Sequence, residues 1–156
     1  MKGTSILYVN KWDQRFLDLA QHVASWSKDP SRKIGAVAIG DKGQVLAQGY
    51  NGFPRGIEDS EYRYNEREEK YKYVVHAEMN CIYNASWNGV SLNKSKFYVY
   101  GLPVCSECAK GLIQVGVKSI LVKVPEQDAT PLIWKQHEKL SKELFQEAGI
   151  EYARIQ

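Results

Sequence analysis

Apolar positions first recur at helical spacing between Trp12 and Trp26, where Phe16, Leu19, Ala20, Val23 and Ala24 mark one face of an amphipathic helix stopped by Lys28-Asp29-Pro30. The pattern then changes to short apolar runs. Ile34 to Ile39 and Gln44 to Gln48 flank Gly40-Asp41-Lys42-Gly43, which predicts a hairpin. Gly49 to Gly56 is dense in turn residues, and Asp59 to Tyr73 is highly charged with interleaved tyrosines, which reads as a solvated insertion or an oligomer contact. A helix is expected from Val75 to about Trp87, ending near Asn88-Gly89. Beyond it the pattern predicts a strand over Lys96 to Gly101, a short helix from Ser106 to Val115 ended by Gly116, and a strand from Ser119 to Val124. A loop from Pro125 to Pro131 leads to a last helix, Leu132 to Ala148, and a terminal strand, Ile150 to Ile155. The order αββαβαβαβ implies an α/β fold whose central mixed five-stranded sheet is covered on both faces as a three-layer α/β/α sandwich.

The 156 residues suit a single domain spanning 1–156, with 59–73 as its charged insertion. An apolar share of 44% beside 25% charged residues is ordinary for a globular protein. The net charge of +3 is scattered, with no basic block, so a nucleic-acid polymer is not an expected partner. The apolar stretch Ile6 to Val9 is too short for a signal peptide, and no run approaches the ~20 apolar residues of a membrane span. A cytoplasmic location without a membrane partner is the expectation.

Three cysteines include the pair Cys105-Ser106-Glu107-Cys108, and that spacing in a reducing compartment argues for metal or redox chemistry over disulfides. Cysteines three apart in a first helical turn are neighbours, so both thiolates can reach one ion at ~2.3 Å. His76, in His76-Ala77-Glu78, offers an imidazole as a third ligand. Three protein ligands leave a tetrahedral zinc one position for water, the pattern of a catalytic site. Cys81 is better read as a small buried hydrophobe, and His22 and His137 lack companions at ligand spacing.

Glu78 lies two residues from a ligand. In mid-helix it would point away, but at a helix mouth both side chains can converge on the space ahead of the N-terminus. Zinc with two thiolates and neutral imidazole is net zero, and hydroxide makes the site negative, so a nearby carboxylate has its pKa raised and can take and hold a proton. A lone His-x-Glu or Cys-x-x-Cys is weakly specific. The two together, in this order, match a known signature of zinc-dependent nucleobase deaminases.

On these motifs the sequence resembles the zinc-dependent cytidine deaminase superfamily and, within it, the deoxycytidylate (dCMP) deaminases. The resemblance includes Trp26-Ser27-Lys28-Asp29-Pro30, Gly49-Tyr50-Asn51-Gly52 with Pro54 and Gly56, Tyr73 to Asn80, Cys108-Ala109-Lys110 and Leu144 to Ile150. It implies a cytidine-deaminase-like fold, one Zn²⁺ per chain on His76, Cys105 and Cys108, and Glu78 as the catalytic proton shuttle in hydrolysis of dCMP to dUMP and ammonia. It further implies that Asn51 contacts the deoxyribose, that the Ala77 amide contacts the pyrimidine carbonyl, and that Ser27 and Lys28 lie near the 5′-phosphate. Similar enzymes are homohexamers activated by dCTP and inhibited by dTTP. Here that effector site would use Tyr50, Asn51, Gly52 and Arg55, with Mg²⁺ on the triphosphate.

Two departures stand out. Val104 occupies the position before the first zinc cysteine where the family usually has proline, and Pro103 lies one earlier. Residues 125–134 lack the tyrosine with which such enzymes often close over the base, and Trp134 is the candidate substitute. Alternative readings are a deaminase acting on another cytosine compound such as dCTP, a non-catalytic zinc-binding domain, and a thioredoxin-like redox role. Glu78 disfavours the second, since structural zinc needs no carboxylate there, and His76-x-Glu78 leaves the third incomplete.

Overall fold

The computed structural model describes residues 9–125 and 132–155. The elements in chain order are α1 (Lys11–Ala24), β1 (Gly35–Ile39), β2 (Val45–Tyr50), α2 (Glu61–Asn65), α3 (Arg67–Tyr73), α4 (Ala77–Trp87), β3 (Lys96–Tyr100), α5 (Ser106–Gln114), β4 (Ser119–Lys123), α6 (Leu132–Ala148) and β5 (Glu151–Ile155). The strands form one mixed sheet in the order β2-β1-β3-β4-β5. β1 is antiparallel to both β2 and β3, whereas β3, β4 and β5 run parallel. This is the expected α/β architecture. The loop expected over 125–131 lies, apart from Pro125, outside the described residues.

Side-chain alternation sorts the strands onto two cores. Ala36, Ala38, Phe97, Val99, Ile120 and Val122 face α4, α5 and α6, whose contributions include Cys81, Ala85, Leu112 and Phe145. Val37, Ile39 and Tyr98 face the opposite way, against Leu17, Ala20 and Val23 of α1. α1 starts one residue earlier than its apolar pattern because Asn10 and Asp13 form a reciprocal capping box, Asp13 N–H donating to Asn10 Oδ1 at 2.8 Å.

Two glycines let helices press onto the strands. A Cβ on Gly35 would lie 2.1 Å from the carbonyl oxygen of Ala20 in α1, and one on Gly49 would lie 2.3 Å from the Cys81 nitrogen in α4. Neither neighbour is a side chain that can swing aside.

Residues 59–73, read as a charged insertion, are mostly exposed but carry structure of their own. They fold into α2 and α3, capped at the start by Ser60, and bury Tyr64 and Lys70. The apolar faces of the tyrosines supply what the charge pattern conceals: Tyr64 stacks on Phe53 with ring centroids 4.0 Å apart, and Tyr73 lies 5.6 Å from the same ring. Among the described residues no helix is long and apolar enough to cross a membrane.

The close approach at Gly49 makes a direct prediction. Gly49→Ala should lower the unfolding free energy by about 1–3 kcal/mol through overpacking against α4, seen as a lower urea midpoint at unchanged slope. A wild-type midpoint would show that α4 can move off β2 at no cost.

Candidate active site

The site forms where two helices begin. His76 is the N-cap of α4 and Cys105 the N-cap of α5, both with extended backbone, so their side chains project beyond the first helical turns. Cys108 lies one turn into α5, and its N–H donates to Cys105 Sγ at 3.4 Å. His76 Nδ1 lies 3.4 Å from each sulfur, and the three ligand atoms fall within 4.8 Å of one another. A tetrahedral zinc with ordinary bond lengths sets nitrogen and sulfur about 3.5 Å apart. One imidazole and two thiolates therefore fit zinc in both geometry and donor type, and among the described residues this is the one such group.

The electrostatics suit that reading. Cys105 is held down at about 4 by the hydrogen bond from the Cys108 thiol and by adjacent His76, against the opposing push of burial. Cys108 is driven the other way by that same bond and by burial, so the metal-free pair shares a single negative charge. The Cys105 contact raises His76 above its ordinary value. A metal would displace the remaining protons, which links metal binding to pH. Glu78 is buried and lines one cavity with His76, and burial, reinforced by the charge on Cys105 and opposed by His76, pushes its carboxyl up to about 7.

Helix α6 and strand β5 grip the residues on either side of Cys105. Val104 N–H donates to the Tyr152 hydroxyl at 3.3 Å, and its carbonyl accepts from Ser141 Oγ at 2.8 Å. Tyr152 in turn donates to Glu138 Oε2 at 3.1 Å, and Arg154 pairs with Glu138 Oε1 at 2.8 Å. On the other flank, Ser106 Oγ lies 3.1 Å from His137 Nδ1. Burial holds the Tyr152 phenol well above its ordinary value, so it stays a donor. Val104 in place of proline thus has an N–H to offer, and Tyr152 receives it.

The cavity beside the metal group has a volume of ≈ 190 Å³. Of the residues expected at the substrate, Asn51, Ala77 and Trp134 line it, and the Trp134 ring sits 5.9 Å from that of His76. Asn51 is heavily committed to structure: Oδ1 accepts from Ile34 N–H at 2.9 Å and Nδ2 donates to the Arg32 carbonyl at 2.9 Å. Ser27 and Lys28 are not among the lining residues. Buried Ser27 donates to the Asn51 carbonyl at 2.8 Å, while exposed Lys28 pairs with Asp59 at 2.8 Å. The wall opposite was missed in the sequence: Asp29, Arg32, Arg67, Lys70 and Tyr71 line the cavity. Lys70 and Asp29 form a buried ion pair at 3.1 Å. Tyr50, Gly52 and Arg55 line a separate hollow with Asn80 and Asn84.

A mixed sheet with two helix N-termini converging on His, Cys and Cys, beside a buried carboxylate, defines the class of metal-dependent hydrolytic deaminases. Residues 10–124 match the model of the cytidine and deoxycytidylate deaminase zinc-binding region. An uncharacterised deaminase from the luxG 3′ region of Aliivibrio fischeri is 38% identical over 92% of both chains. A probable deoxycytidylate deaminase of Drosophila melanogaster is 35% identical, covering 92% of this chain and 71% of its own. In fold, the chain superposes on the dCMP deaminase of cyanophage S-TIM5, solved with dCMP and dUMP, with a TM-score of 0.72 at 21% identity over 96% and 100% of the two chains. This chain belongs to the cytidine and deoxycytidylate deaminase family.

Two expectations follow from the site's construction. Cys105→Ala or Cys108→Ala should abolish stoichiometric zinc and lower stability, because metal binding and folding are linked; full zinc content in either, measured by atomic absorption, would reject the ligand assignment. Tyr152→Phe leaves Val104 N–H unpaired and should weaken zinc binding about tenfold in a chelator competition, whereas undiminished affinity would make the contact incidental.

Proposed function

We propose that the protein hydrolyses dCMP to dUMP and ammonia, as one deaminase domain, with His76, Cys105 and Cys108 as zinc ligands and Glu78 as the catalytic proton carrier. The observation that carries this reading is the buried Glu78 carboxyl, with its pKa at about 7, in one cavity with His76 of the His-Cys-Cys group. A general acid and base works best with a pKa near the operating pH. Zinc, when bound, supplies the Lewis acidity that makes water nucleophilic at neutral pH.

Glu78 then performs the proton traffic. Its carboxylate oxygen accepts a proton from the attacking water and delivers it to N3 of the cytosine ring as the water oxygen adds to C4. The same oxygen takes the second proton and passes it to the departing amine, so that the C4–N bond breaks to ammonia and the carbonyl of uracil. The Ala77 N–H, at the first position of α4, is available to the pyrimidine carbonyl, Trp134 offers a stacking face for the ring, and Asn51 lies where a deoxyribose would pass.

The regulatory reading completes the proposal. Tyr50, Asn51, Gly52 and Arg55 belong to the site for dCTP as activator and dTTP as inhibitor, Mg²⁺ accompanies the triphosphate, and the enzyme works as a cytoplasmic homohexamer. A mechanical link supports it: Gly52 and Val75 exchange backbone hydrogen bonds at 3.1 and 2.8 Å, one residue from His76, and Asn80 of α4 donates to the Tyr50 carbonyl at 2.8 Å.

The deciding assay follows loss of cytosine absorbance with dCMP, alone and with dCTP or dTTP. Conversion to dUMP is expected, raised by dCTP and lowered by dTTP; no conversion by zinc-loaded protein, with turnover of dCTP instead, would move the substrate assignment. Glu78→Gln should keep its zinc and lose about 10²–10⁴-fold in kcat, and ordinary turnover would remove Glu78 from the mechanism.

A further inference from the structure

His137 belongs neither to the metal group nor to the cavity lining, yet it reaches the helix that carries two of the metal ligands. Its Nδ1 lies 3.1 Å from the hydroxyl of Ser106, a buried residue at the first position of α5 and next to Cys105. Among the described residues of α6 ahead of Glu138, this is the one side-chain hydrogen bond to another element. Trp134 stands three residues earlier, on the same face of α6. Its ring centroid lies 5.9 Å from that of His137 and 5.9 Å from that of His76, and it lines the cavity. Trp134 therefore neighbours both the ring of a metal ligand and the ring that Ser106 holds.

We propose that the Ser106–His137 hydrogen bond is a positioning pair that fixes the Trp134 ring against the cavity, so that both residues act on the pyrimidine through Trp134 without touching it. The inference rests on the stacking role given to Trp134 above and adds what holds that face in place. Trp134 lies in the first turn of α6, where backbone N–H groups lack intrahelical partners, and Leu132 and Ile133 ahead of it are exposed. The ring packs at the edge of the larger core, but apolar packing is non-directional and does not by itself set the plane of a ring. A hydrogen bond is directional. This one ties the turn to the residue beside Cys105, so the stacking ring and the metal group share one reference, the start of α5. Ser141 makes a second tie, to the Val104 carbonyl at 2.8 Å, one turn further from Trp134.

The test compares wild type with Ser106→Ala, with His137→Phe, which keeps a ring but loses Nδ1, and with His137→Asn, which returns a polar atom near that position. Ser106→Ala is also made in a Trp134→Ala background. Trp134 emission is read as the difference between each Ser106 form and its Trp134→Ala counterpart, beside steady-state rates on dCMP and zinc affinity by chelator competition. Ser106→Ala should move Trp134 emission to longer wavelength without any ligand. It and His137→Phe should raise KM for dCMP about 3- to 10-fold, with kcat and zinc affinity little changed, and His137→Asn should recover part of the loss. In the Trp134→Ala background, Ser106→Ala should add nothing to KM. Unchanged emission, or unchanged KM in a Ser106→Ala enzyme that converts dCMP, would overturn the proposal. A KM loss that persists without Trp134, or that comes with weaker zinc binding, would overturn it too, by assigning the contact to the metal helix. A wild type that converts no dCMP while its Trp134 emission responds to Ser106→Ala would sink the proposed reaction and support the positioning pair.

Discussion

The close parallel seating of α4 and α5 on one face of the sheet is the constraint on which the site depends. It brings two helix N-termini to one point, and each delivers its ligand from the N-cap position, where the backbone is still extended. Small residues make the seating close enough. Gly49 admits the backbone of α4 against β2, and Gly111 of α5 leaves room for Met79 of α4, whose sulfur would lie 2.9 Å from an added Cβ. A larger residue at Gly49 would meet α4 backbone that cannot swing aside, whereas at Gly111 the Met79 side chain would have to move. The partial positive charge of two helix ends also favours the thiolates held there.

Around that pair the fold builds two supports of different character. Behind Cys105, polar residues of α6 and β5 hold the backbone itself: Ser141 takes the Val104 carbonyl, and Tyr152, anchored by Glu138, takes the N–H. Burial of Glu138 is compensated by Arg154 and Tyr152, which is why an acid can occupy the inner face of α6. In front, the Lys70–Asp29 pair fastens the segment between the Gly-rich loop and α4. The first support sets where a ligand stands; the second shapes the space a substrate would enter.

The sequence by itself determined most of the elements and the two halves of the reactive cluster, because each of these is local. A helical face or an alternating strand is written within a few residues, and so are His76 beside Glu78 and Cys105 one turn from Cys108. Even the Val104 departure was visible, although its partner was not.

What only the tertiary structure decided are the groups that meet across long separations. Tyr152 reaches Val104 over 48 residues and Lys70 reaches Asp29 over 41, and no periodicity announces either. A charged residue such as Lys70 reads as solvated because burying an isolated charge is costly, so its burial becomes legible only once the compensating partner is in place. The same reason separates Lys28 from Lys70. Both are lysines in charged surroundings, and folding alone set one in solvent and the other in the wall of the cavity.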